Sequence, residues 1–216
     1  MKQTMHSLFL ESVSFRYSLT NPFVFWEVTL EVPTGQTVLL LGDNGSGKST
    51  LGGLICGLLH PTAGSVIIEG QDIHEVNPET RIRLAYYIPQ ENQLQFMKTT
   101  LNQEIRLAQK LVRRRNVDFE IFSRYQLQAN PSTHPLDLSV NEGWRFSLLL
   151  SSIISPTVLF IDEIPSWSNR NNISVFTDLL NQRKSLKLTT IFSFQREVQI
   201  PFDRTLLVGG GKIHDK

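Results

Sequence analysis

Nine residues, Gly42-Asp43-Asn44-Gly45-Ser46-Gly47-Lys48-Ser49-Thr50, constrain this chain more than any other stretch. They follow a continuous apolar run, Thr37 to Leu41, of the kind buried on both faces of a sheet. They lead into a helical stretch from Lys48 to about Leu58, stopped by Pro61 and Gly64. Glycines at 42, 45 and 47 let backbone N–H groups turn inward around an anion without Cβ clashes. The helix that follows points its positive end at the same anion. A glycine separated by four residues from Gly-Lys-Ser is the P-loop pattern, and about one chance match is expected per hundred chains of this length. In that pattern Lys48 reaches the β and γ phosphates of a nucleotide and the Ser49 hydroxyl ligates Mg²⁺. The phosphates of a nucleotide and Mg²⁺ are therefore the expected ligands, with Gly42, Asn44, Gly45, Ser46, Gly47, Lys48, Ser49 and Thr50 around them.

A second element supports the first. Val158-Leu159-Phe160-Ile161 is an apolar strand ending in Asp162-Glu163. The tip of such a strand emerges at the ligand edge of an open sheet. Asp162 there would hold Mg²⁺, directly or through water. Glu163 would polarise an attacking water as general base.

The rest of the chain supplies a frame. Val24, Trp26, Val28, Leu30 and Val32 alternate with Phe25, Glu27, Thr29 and Glu31, the period of a strand. Pro33-Thr34-Gly35 reads as a turn, and Ser65 to Glu69 and Leu84 to Ile88 read as strands. From about residue 91 to 155 the chain is rich in Gln, Leu, Arg and Asn. Leu101, Ile105, Ala108 and Leu111 have helical spacing there, which predicts a helical insertion ended by Pro156. Strand Thr157 to Ile161, a helix over about Asn172 to Arg183, strand Thr189 to Phe194 and a hairpin at Gly209-Gly210-Gly211 follow. The expected fold is α/β, with a largely parallel sheet and an inserted helical lobe.

Composition narrows the partners. The chain carries 21 basic and 20 acidic residues, net +1, so no broad nucleic-acid-binding face is expected. Arg113-Arg114-Arg115 reads as a solvated helix end. Cys56, the single cysteine, excludes an internal disulfide and a cysteine zinc site, fits a reducing compartment, and reads as a small buried apolar residue. Trp144 and Phe146 read as core. The five histidines are scattered, without metal-ligand spacing. No segment approaches the roughly 20 apolar residues of a membrane span, and residues 1–11 lack a secretory apolar block. The expectation is a soluble intracellular protein that reaches a membrane only through partners.

With its two motifs in this order the chain resembles, over nearly its whole length, the nucleotide-binding ATPase subunits of ABC transporters. The resemblance implies a P-loop NTPase of ABC type forming a single domain over residues 1–216. Residues 1–90 and 156–216 would be the RecA-like core with an N-terminal antiparallel β part, and about 91–155 the helical subdomain. It implies Tyr17, in Phe15-Arg16-Tyr17, as the aromatic stacked on adenine. It also implies Gln90, after Tyr86-Tyr87-Ile88-Pro89, as the Q-loop glutamine on Mg²⁺ and in the catalytic site. Gln90 to Phe96, with Thr99-Thr100-Leu101 and Glu104-Ile105, looks like the energy-coupling factor ATPases of cobalt, biotin and vitamin uptake.

Three departures stand out. The family signature Leu-Ser-Gly-Gly-Gln/Glu, which reaches ATP on an opposite subunit, reads Leu138-Ser139-Val140-Asn141-Glu142 here. Val140 is β-branched and adds bulk where glycines permit close approach. The switch histidine is replaced by Gln195, or by Phe194 if the register is one earlier. Ile164-Pro165-Ser166-Trp167-Ser168-Asn169 stands where the family has Pro-Thr-Ser-Ala-Leu-Asp. The resemblance implies transport ATPase activity, low in the chain alone, at the cytoplasmic face of a membrane. The implied partners are a second ATPase subunit, a heterodimer being favoured over a homodimer, and transmembrane subunits. A regulatory ATP-binding subunit and a non-transport ABC-type ATPase are the alternatives.

Overall fold

A computed structural model describes residues 6–91, 95–113, 120–163, 169–195 and 200–216. Two sheets form the frame. The first has the order β2-β1-β4-β5 and is antiparallel, from β1 (His6–Phe15), β2 (Phe25–Pro33), β4 (Ala63–Ile68) and β5 (Gln71–Asp72). The second has the order β10-β9-β3-β8-β7-β6. Its strands are β3 (Thr37–Leu41), β6 (Ala85–Ile88), β7 (Val158–Asp162), β8 (Thr189–Phe194), β9 (Arg204–Gly209) and β10 (Lys212–Asp215). All its pairings are parallel except the β9–β10 hairpin. The expected architecture is thus present. β3 and β7 are buried at every residue, because each lies between two strands and is covered on both faces.

The alternation expected for β2 holds at Val28, Leu30 and Val32 but reverses before them. Phe25 is buried and Trp26 is 53% exposed. Glu27 has φ +48° and Ser12, on β1, has φ +47°, and the β1–β2 register shifts between Leu10 and Val13. One irregular residue in a strand moves every side chain beyond it to the other face. The Ser14 hydroxyl accepts the Glu27 N–H at 2.9 Å and so closes the irregularity.

Helix α1 (Lys48–Ile55) is shorter than expected. Gly57, at φ +68°, turns the chain out of the helix well before Pro61. Helix α2 (Pro78–Leu84) was not foreseen, although its start signal is legible. Asn77 caps it, accepting the Thr80 N–H at 2.9 Å, and proline stands at the first position.

Between β6 and β7 lie α3 (Leu101–Leu111), α4 (Glu120–Arg124) and α5 (Val140–Ile154). Leu101, Ile105 and Ala108 of α3 are buried in a cluster shared with Trp144, Phe146 and Leu149 of α5 and with Leu159 and Ile161 of β7. The helices therefore pack on one sheet face, and the β1–β2–β4 sheet and α1 pack on the other. Trp144, Phe146 and Cys56 are core, as expected. Helix α6 (Arg170–Ser185) is pinned beneath the sheet by Arg183, which is 3% exposed. Its guanidinium donates to the Thr190 hydroxyl at 2.8 Å and to the carbonyls of Thr189 and Pro156 at 2.7 and 2.9 Å. Burial pushes its pKa down to about 9.

The histidines are not all scattered. The rings of His60 and His74 meet at 4.6 Å, brought together by the turn after α1 and the end of β5. Linear spacing gave no sign of this pair. Among the described residues no cluster of three or more His, Cys, Asp or Glu side chains could hold a metal, and no helix is long and apolar enough to cross a membrane. The calls on residues 92–94, 114–115 and 164–168 fall outside the described residues.

Candidate nucleotide site

The loop between β3 and α1 wraps the mouth of a cavity of about 470 Å³. Gly47, at φ +107°, is the residue that permits the wrap. A Cβ there would come within 2.9 Å of the Phe25 ring and 3.0 Å of Val24. Asn44, Gly45, Gly47, Lys48, Ser49 and Thr50 line one side of the cavity. Gly42 packs beneath, where a Cβ would meet Ser46 Oγ and the Val208 carbonyl at 2.5 Å. The Lys48 ammonium is drawn into the loop, donating to the carbonyls of Gly42 at 2.6 Å and Asp43 at 3.0 Å. The Ser46 hydroxyl is buried and has no hydrogen-bond partner within the protein. A cradle with a cation at its base, a helix N-terminus behind it and an orphaned buried hydroxyl fits a phosphate chain.

Tyr17 stands at the rim, 62% exposed, its hydroxyl 2.8 Å from that of Thr50 and its ring edge-on to Phe15 at 5.0 Å. Val24 lines the same rim. Across the cavity stand Gln90, Glu163 and Gln195. Gln195, and not Phe194, is the residue that enters the site: β8 ends at Phe194 and Gln195 follows at the cavity wall. The Glu163 carboxylate accepts one hydrogen bond from Gln90 Nε2 and another from Gln195 Nε2, each 2.9 Å. Glu163 itself has φ +59°, a left-handed backbone that costs a glutamate about 1–3 kcal/mol. Its N–H donates to the Ser193 hydroxyl at 3.2 Å, which helps hold that backbone.

Asp162 is buried, and both its oxygens are engaged. Oδ1 accepts from the Ser193 hydroxyl at 2.6 Å and Oδ2 from the Tyr87 hydroxyl at 2.7 Å. Burial, and then the Asp162 carboxylate, push the Tyr87 phenol above the ordinary range, so it remains a donor. Neither Tyr87 nor Ser193 was singled out from the sequence. The available signals were a tyrosine three residues before Gln90 and a serine between two phenylalanines near the end of a strand. The side chains that could serve Mg²⁺ are the Ser49 hydroxyl, the Asp162 carboxylate and the Gln90 amide. All offer oxygen, as that cation prefers, with most of its shell left to phosphates and water.

Ser139, Val140, Asn141 and Glu142 do not line this cavity. They form the N-terminus of α5. Ser139 caps the helix and closes a capping box with Glu142, the two side chains 2.6 Å apart. Val140 is 59% exposed. Asn141 is tied into the interior: its Oδ1 accepts from Asn172 Nδ2 at 2.9 Å, and Asn172 Oδ1 accepts from Arg145 at 2.9 Å. Asn169 caps α6, accepting the N–H groups of Asn171 and Asn172.

A second cleft, about 430 Å³ and predominantly apolar, opens near the Gln90 loop. Leu58, Arg81, Ile82, Tyr86, Tyr87 and Pro89 line it, and Leu58 is 64% exposed.

Comparison with known proteins agrees with this geometry. The chain is 26% identical to the energy-coupling factor transporter ATP-binding protein EcfA1 of Mycoplasma mobile, over 94% of this chain and 77% of that one. It is 29% identical to the protein of the same name from Mycoplasmopsis synoviae, over 94% and 80%. Relatives from Bacillus cereus and Bacillus anthracis, 26% identical over 83% of this chain, are longer, and the chain spans 34% of their length. A solved ATP-binding subunit of an ABC transporter superposes with TM-score 0.82 at 25% identity, over 95% of this chain and 87% of that one. The family model described as ABC transporter matches residues 25–166, which include the phosphate loop, Gln90 and Asp162-Glu163. The chain belongs to the ABC transporter family, as an ATP-binding subunit of ATPase type.

Proposed function

We propose that the chain binds MgATP at its own phosphate loop and hydrolyses it to power passage of a small solute through a separate membrane protein. It does so as one half of an ATPase dimer. The observation that carries this reading is the Glu163 carboxylate, held by Gln90 and Gln195 across the cavity from Lys48 and the loop amides. In this reading the loop amides and Lys48 hold the β and γ phosphates. Ser49, Asp162 and Gln90 take the Mg²⁺, which when bound neutralises charge developing on the phosphates. Glu163 orients the attacking water and takes its proton. Tyr17 and Val24 give the base an apolar platform.

The dimer reading rests on α5. Its Ser139–Glu142 terminus lies outside the lining of the chain's own cavity, where it would meet nucleotide on a second subunit. Val140 crowds that face, and Gln195 can donate a hydrogen bond but carries no charge. A homodimer would have both departures in both sites, whereas a heterodimer with an intact partner separates them. The apolar cleft beside Gln90, with its exposed Leu58, supports docking of a membrane subunit there. A regulatory subunit that binds ATP and turns it over slowly is the second reading, favoured by the neutral Gln195 on the base.

ATP turnover by the purified chain, alone and co-expressed with its membrane and ATPase partners, tests the reading. Turnover in the complex that falls on Glu163→Gln supports it. Turnover of several per second by the isolated chain rejects the heterodimer. Turnover unchanged by Glu163→Gln in the complex favours the regulatory reading.

A further inference from the structure

Tyr87 sits where three elements of the site converge. It lies on β6, three residues before Gln90, and pairs in register with Phe160 of β7. The two rings stack at 5.6 Å with 20° between planes. Helix α1 presses on that stack at Gly52, where a Cβ would lie 2.5 Å from Phe160 and 2.7 Å from Tyr87. The ring is therefore fixed by packing on two sides. Its hydroxyl is delivered to Asp162 Oδ2 at 2.7 Å. One phenol, carried by β6, thus touches the carboxylate at the tip of β7 that the chemistry assigns to the cation.

We propose that Tyr87 is the positioning residue of the divalent-cation site. It holds the Asp162 carboxylate in place, so that a hard cation carried by the nucleotide finds that carboxylate already oriented. The inference rests on the nucleotide reading above and adds a residue that the phosphate-loop and acidic-strand motifs do not contain. Ligating carboxylates depend on such outer partners, whose loss costs about 10- to 100-fold in metal affinity or activity. A hydroxyl that merely filled space would leave metal affinity unmoved on removal.

Tyr87→Phe keeps the stack on Phe160 and deletes only the hydroxyl. Calorimetry of ATP binding, with excess Mg²⁺ and with chelator, separates the metal-dependent part of affinity from the rest. The expected result is a metal-dependent gain reduced about tenfold or more, with metal-free ATP affinity within twofold of wild type. Adding Tyr87→Phe to Asp162→Asn should cost nothing further, because the tyrosine acts through that carboxylate. The wild-type chain offers a readout that needs no variant. Mg²⁺ added to its ATP complex should shift the ring ¹³C resonance of Tyr87 and leave that of the remote Tyr125 in place. An unchanged metal-dependent gain in Tyr87→Phe, full additivity with Asp162→Asn, or an unmoved Tyr87 resonance each overturns the proposal while the nucleotide reading stands. A wild-type chain without ATP affinity overturns both.

Discussion

Gln195 Nε2 lies 2.9 Å from Glu163 Oε1, so the side chain expected at the switch position holds the proposed base directly. A neutral amide can orient that carboxylate but cannot place a positive charge beside the phosphates. Gln195→His restores a group able to carry that charge. Turnover at this chain's own site, measured as single-turnover hydrolysis in the assembled complex, should rise about tenfold, the equivalent of a charged hydrogen bond worth about 1.5 kcal/mol. An unchanged or lower rate would show that the amide is not limiting.

Glu163→Gln keeps the shape of the side chain and removes the base. ATP affinity should stay within a few-fold of wild type while turnover falls about 100-fold or more. Calorimetry and phosphate release measured on the same preparation check both halves.

Lys48→Ala deletes the cation at the base of the cradle. MgATP binding should be largely lost, because charge-assisted hydrogen bonds to phosphate are among the strongest contacts in such a site. Calorimetry showing wild-type affinity in this variant would reject the phosphate assignment. The thermal midpoint should change little, since among the described residues the Lys48 ammonium hydrogen-bonds two loop carbonyls and no carboxylate.

Arg183→Met should destabilise the fold by about 2–4 kcal/mol, read from urea denaturation. The change leaves the buried carbonyls of Thr189 and Pro156 without this donor, at about 1–3 kcal/mol per unsatisfied group. The site geometry is untouched, so ATP affinity at a temperature where the variant is folded should match wild type.

His74 gives a pH dependence. Burial, and then His60, lower its pKa below 6.5, with Arg81 adding to the shift and Asp72 and Glu75 opposing it. The unfolded chain therefore binds a proton more readily than the folded one. The contribution to stability is complete above pH 6.5 and is lost as pH falls through the depressed folded value. The thermal midpoint should drop on acidification below 6.5, and His74→Gln should remove that part of the drop, as measured by calorimetric scans across pH.

The phosphate loop, the acidic strand tip and β3, β7 and β8 were legible because each is dictated locally. Glycines force the loop, and continuous apolar runs force strands buried on both faces. Phe25 and Trp26 were assigned to the wrong faces because the reversal depends on an irregularity at Glu27 paired with one at Ser12 on another strand, which alternation alone does not reveal. The hydroxyls on Asp162 escaped for a related reason. Tyr87 and Ser193 come from β6 and β8, 75 and 31 residues from Asp162 along the chain, and only the sheet order places them on either side of β7. The His60–His74 pair is likewise a product of tertiary closure. Gln195 was legible as a cavity residue because a strand end fixes register, and it lies on the cavity wall directly after β8.

The Tyr87 ring also forms part of the wall of the apolar cleft, while its hydroxyl belongs to the acidic centre. One rigid side chain is thus a partition with two tenants. A body that presses into the cleft and tilts that ring must drag the oxygen at its far end, and a change at the carboxylate must push back on the ring. The two chambers share this one wall, so a load on either face is borne by the same ring and hydroxyl.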